Sequence, residues 1–87
     1  MKTVVVFRAQ RDYSREVYDW LREYNRRSAT PAEEVDPDTR NGIGFTGAYD
    51  ILEFPAVLVM TDDGKVSQVW RGTPMPPPDE VRGYASA

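Results

Sequence analysis

The chain contains neither cysteine nor histidine. Those two absences exclude disulfide bonds, thiol redox chemistry and thiolate nucleophiles. They also exclude imidazole acid–base catalysis and ligation of zinc or haem by the usual donors. Basic residues are in deficit. The 11 Lys and Arg are spread among 14 Asp and Glu for a formal net charge of −3, so no basic face of the kind nucleic acid requires is available. Long hydrophobic runs are missing too, since no apolar segment approaches the roughly eighteen residues of a membrane span. Met1-Lys2-Thr3 leads straight into a strand pattern without a signal-peptide hydrophobic region, and the expectation is a cytoplasmic protein. No cofactor and no metal is expected.

The residues that are present suit a small globular protein. At 87 residues, 40% apolar and 29% charged, the chain is sized for one domain over residues 1–87 with a single core. Its organising stretch is Phe54-Pro55-Ala56-Val57-Leu58-Val59-Met60. A short apolar run rich in β-branched residues, closed by Thr61-Asp62-Asp63-Gly64, reads as a strand buried on both faces. Proline cannot donate to a sheet ladder and belongs at a strand's first residue, where Pro55 stands. Asp63-Gly64 is a hairpin dipeptide, because glycine accepts positive φ freely and aspartate tolerates it. Lys65 to Trp70 can then return antiparallel.

From the start, Thr3-Val4-Val5-Val6-Phe7 is a second buried strand. Asp12 or Ser14 can cap the next helix. Its apolar stripe is Tyr13, Val17, Trp20, Leu21 and Tyr24, with pairs Arg15–Asp19 and Glu23–Arg27 at i,i+4. Ser28 to Pro31 ends it. Residues 32–36 read as a short edge strand whose charges discourage unwanted pairing. Phe45, Ala48, Tyr49 and Leu52 share a face of a short helix within residues 43–52, weakened by Gly44 and Gly47. Residues 73–78 form a proline-rich connector, and a proline followed by Asp79 and Glu80 starts a last short helix carrying Val81 and Tyr84. A strand-helix-strand start implies a parallel pair. The expected class is therefore α/β, a mixed four-stranded sheet in the order β-α-β-α-β-β-α with helices on both faces.

Three further clusters have plainer readings than their functional ones. Glu33-Glu34-Val35-Asp36-Pro37-Asp38 lacks the alternation and glycine of a calcium loop and reads as a solvated acidic loop. Asn41 to Gly47 is glycine-rich but lacks the lysine of a phosphate-binding loop. Trp20, Tyr24, Tyr13 and Tyr49 can make a sticky aromatic surface, though on a helix stripe such residues are more often core.

The segment Ala48-Tyr49-Asp50-Ile51-Leu52-Glu53-Phe54-Pro55-Ala56-Val57-Leu58-Val59, followed by Asp62-Asp63-Gly64-Lys65-Val66 and Arg71-Gly72, resembles the thioredoxin-like superfamily in its shorter, glutaredoxin-sized form. The resemblance implies a thioredoxin-like fold with a cis peptide at Phe54-Pro55 facing the site. It also puts the family's Cys-x-x-Cys pair at Asp12-Tyr13-Ser14-Arg15, where both sulfurs are gone. Disulfide exchange requires a thiolate, so thiol–disulfide oxidoreductase activity is excluded. What the resemblance leaves is recognition: a redox-inactive domain binding a protein or peptide in the groove formed by Arg11, Asp12, Tyr13, Ser14, Arg15, Phe54 and Pro55. The alternative is a small enzyme or carrier that binds glutathione or another anion at the helix start, with Ser14 and Arg11 as contacts. Neither a catalytic residue nor a membrane or nucleic-acid partner is expected, and the chain is expected to be a monomer or a weak dimer through an edge strand.

Overall fold

Four strands and three helices alternate along the chain in the computed structural model, which describes residues 1–86. They are β1 (Lys2–Val6), α1 (Ser14–Arg27), β2 (Glu33–Val35), α2 (Arg40–Tyr49), β3 (Ala56–Met60), β4 (Val66–Arg71) and α3 (Pro78–Ala85). The strands form one mixed sheet in the order β2-β1-β3-β4. β1 runs parallel to β2 and antiparallel to β3, and β3 runs antiparallel to β4. The result is a compact α/β domain.

The two apolar runs become the central strands for the reason their composition suggests. With a helix layer on each face, every side chain of β3 is buried, as are the last four of β1. Alternation along the strands sorts them between the layers. Val5, Val57 and Val59 meet Val17, Trp20, Leu21 and Tyr24 of α1 and Val81 of α3. On the opposite face Val4, Val6, Leu58 and Met60 meet Ile51, with Phe45 and Tyr49 of α2 half-buried against them. Each fully buried valine or leucine contributes about 1.5–3 kcal/mol relative to exposure. No helix among the described residues is long and apolar enough to cross a membrane.

Local chemistry sets the ends. Gly64 takes φ 86° in the β3–β4 turn, and Thr61 closes it by accepting from Gly64 N–H at 3.0 Å through its carbonyl. The proline-rich connector folds back onto α1. Trp20 Nε1 donates to the Pro76 carbonyl at 2.6 Å, and Met75 N–H donates to Glu16 Oε2 at 2.9 Å. Trp20 and Tyr24 stack at 5.1 Å and are buried, so they belong to the core and make no sticky surface.

Several expectations are corrected. Asp12 does not cap α1: the cap position is Tyr13, which makes no side-chain cap bond, and Ser14 is the first helical residue. Asp19 pairs with Arg22 at 3.2 Å and not with Arg15, whereas Glu23–Arg27 forms at 3.2 Å. α2 begins at Arg40, earlier than its apolar face suggests, because Thr39 caps it by accepting from Gly42 N–H at 3.0 Å. It stops where Asp50 turns left-handed at φ 57°, so Leu52 is 85% exposed and Ile51 takes the buried place.

Candidate functional site

The end of β1 feeds a tight polar loop that Arg8 and Ser14 tie together. Arg8 N–H donates to the Tyr13 hydroxyl at 3.0 Å. The buried Ser14 hydroxyl donates to the Arg8 carbonyl at 3.1 Å and accepts from Arg11 N–H at 2.8 Å. Gln10 sits between them at φ 62°, a left-handed conformation uncommon for a residue with a side chain. These bonds, and not a side-chain cap, fix where α1 begins. They also answer what Ser14 can do: its one hydrogen goes to Arg8, so it is not free to donate to a bound thiolate.

Across the sheet, Val6 pairs with Ala56, which brings the end of β1 beside the start of β3. The Phe54-Pro55 peptide is cis, as the resemblance implies, and Pro55 is buried, its carbonyl accepting from Gly72 N–H at 2.8 Å. The Arg8 guanidinium lies 4.7 Å from the centroid of the half-buried Phe54 ring, within cation–π range. The same guanidinium clasps Asp38 through two hydrogen bonds, from Nε at 2.9 Å and Nη2 at 3.1 Å. Those bonds hold the Asp38 carboxyl below the usual carboxylate range and raise Arg8 further.

Of the expected groove, the structure brings together Tyr13, Ser14 and Phe54, all through Arg8, with Pro55 adjoining. Arg11, Asp12 and Arg15 are exposed, and no ion pair joins any of the three to another described residue. Arg8 and Asp38 lie outside the expected set of site residues; the signal available was an arginine at the end of a buried strand with an acid just ahead of a helix. Among the described residues no group of His, Asp or Glu forms a metal-binding cluster. One surface concavity, about 520 Å³, lies between the ends of α1 and α3 and includes Lys2, Tyr24, Arg27 and Arg82. A second, about 220 Å³, is walled by Phe7, Ala9 and Tyr18 with Glu34, Val35 and Asp36. The third, about 370 Å³, lies by the hairpin around Tyr49 and Thr61. What the loops around Phe54 offer is an open surface with backbone groups to spare. Neither the N–H nor the C=O of Phe54 has a hydrogen-bond partner among the described residues. Compared with protein-family models and with curated protein sequences, the chain matches none.

Proposed function

We propose that this chain is a thioredoxin-like domain without redox chemistry that binds an extended segment of another protein between the start of α1 and the Phe54-Pro55 turn. The strand order β2-β1-β3-β4, with β1 parallel to β2 and the hairpin strands antiparallel, supports the fold reading. So does the division of helices, α1 and α3 on one face and α2 on the other.

The single observation that carries the binding reading is the state of Phe54. Its backbone donor and acceptor are unpaired among the described residues, and its ring is drawn through Arg8 to Tyr13 and Ser14. An extended partner segment laid beside Phe54 gains main-chain hydrogen bonds there, as in strand addition, while Tyr13 and Phe54 supply apolar contact. With no cysteine to react, such a segment is held and released unchanged. The Ser14 hydroxyl, already donating to Arg8, gives no support to the glutathione reading.

The test starts with immobilised protein exposed to cell extract, then calorimetry with the purified protein it captures. Tyr13→Ala and Phe54→Ala are expected to abolish that binding while the circular dichroism spectrum stays unchanged. Equal affinity for both variants and the parent would overturn the proposal.

A further inference from the structure

A second set of unpaired groups lies on the other side of β1, at the β2 edge of the sheet, and does not depend on the Phe54 reading. Phe7 N–H donates to the Val35 carbonyl at 3.0 Å, which turns the polar groups of Val35 toward β1. Successive residues of a strand face opposite ways, so the N–H and C=O of Glu34 point outward and have no partner among the described residues, while Ala32 N–H is taken by Asn25 Oδ1 and the Asp36 carbonyl by Thr39. Directly beside that edge is the concavity walled by Phe7, Ala9, Tyr18, Glu34, Val35 and Asp36, about 220 Å³. Its volume is below the roughly 300–1,000 Å³ of small-molecule sites, and suits one side chain.

The walls say which side chain. Phe7 and Tyr18 stand edge to face with centroids 5.5 Å apart, and Tyr18 is 46% exposed despite its ring. Two acidic residues, Glu34 and Asp36, line the same concavity. Of the four acids in residues 33–38, Glu33 is paired with Lys2 at 3.2 Å and Asp38 with Arg8 at 2.9 Å. Glu34 and Asp36 take part in no ion pair among the described residues. Asp36 Oδ1 accepts from Asp38 N–H at 2.9 Å, which leaves its second oxygen and the Glu34 carboxylate. An aromatic face and carboxylates outside any ion pair around one opening are complementary to a cation that is flat on one side and charged along its rim.

We propose that the β2 edge binds an extended segment of a partner protein carrying an arginine. The segment's backbone pairs with Glu34, and its guanidinium enters between Tyr18 and the carboxylates of Glu34 and Asp36. β1 keeps both of its neighbours, and the incoming strand extends the sheet beyond β2. The acidic edge that repels a copy of itself is attractive to this partner.

The probe is a synthetic peptide of alternating valine and threonine with one central arginine, titrated into the labelled intact protein while amide shifts are recorded. Saturable shifts at Phe7, Ala9, Tyr18 and residues 34–36, weakening as salt is raised, are expected. Tyr18→Ala and Glu34→Gln are each expected to raise Kd about fivefold; the second keeps the side chain's shape and so isolates its charge. The same peptide with glutamate in place of arginine is expected not to bind. Absence of shifts, shifts confined to residues around Phe54, equal binding of the glutamate peptide, or unchanged Kd in both variants would each overturn the proposal. Shifts confined to Phe54 would do so while favouring the other groove.

Discussion

Arg8 holds both carboxylate oxygens of Asp38, with Nε 2.9 Å from Oδ2 and Nη2 3.1 Å from Oδ1. The clasp joins the loop after β1 to the loop before α2, beside the Phe54 ring that the same guanidinium covers. Because it holds the Asp38 carboxyl below its ordinary range, its contribution is complete above the unfolded pKa and is lost as pH falls through the folded one. The pair is solvent-exposed, so the effect on global stability is small. A side-chain NMR titration should place the Asp38 midpoint below that of an ordinary aspartate, and Arg8→Gln should move it back up. Equal midpoints in the two proteins would mean that the clasp does not persist in solution.

Gly42 and Gly47 should respond to alanine with opposite signs. A methyl on Gly42 would lie 1.8 Å from the Asp36 backbone oxygen, so one backbone must shift to admit it. Gly42→Ala is expected to cost about 2–3 kcal/mol as the helix start is pushed off the acidic loop. At Gly47 nothing lies within 4 Å of the added methyl, and the helix interior favours it by about 0.5–1 kcal/mol. Urea unfolding reads both; equal shifts of the midpoint would contradict the close approach at Gly42.

The Tyr24 hydroxyl and Thr3 Oγ1 are 2.7 Å apart in a buried place between α1 and β1. Tyr24→Phe leaves the buried Thr3 hydroxyl without its partner, at an expected cost of about 1–2 kcal/mol. Adding Thr3→Val to it should recover part of the loss, because then no polar group is stranded. A double variant less stable than Tyr24→Phe alone would contradict the pairing.

Trp20→Phe should loosen the connector more than the sheet. It leaves the Pro76 carbonyl without the indole N–H that now donates at 2.6 Å. Hydrogen exchange is expected to quicken first in α3, whose Val81 is buried in the same cluster as Trp20, while amides of β1 and β3 stay protected. Uniform loss of protection would show that the segment and the sheet open as one unit.

The sheet was legible because its signals are local. Consecutive apolar residues in Val4–Val6 and Ala56–Met60 need two covered faces, and Asp63-Gly64 names its own turn. The stripe of α1 reads directly as its buried face. Less legible was α2, whose start depends on Thr39 and on Gly42 fitting against Asp36, and whose end depends on a left-handed Asp50. That ending changes the phase of the next few residues, which is why Ile51 is buried where the helical pattern points to Leu52. At the site, Ser14 and Phe54 came into view through the resemblance, which sets the start of the long helix against the residue before Pro55. Arg8 and Asp38 offered only their places, after a buried strand and ahead of a helix, and their pairing across 30 positions follows no recognisable spacing.

Both indoles of the molecule are anchored in the same stretch. Trp20 reaches Pro76 from one side, and Trp70 donates to Glu80 Oε2 at 3.1 Å from the other, with Tyr84 edge-on to it. Any event that lifts residues 76–84 off the domain must therefore wet two chromophores together and redden the emission. The unmodified protein carries its own optical gauge of whether that segment is seated.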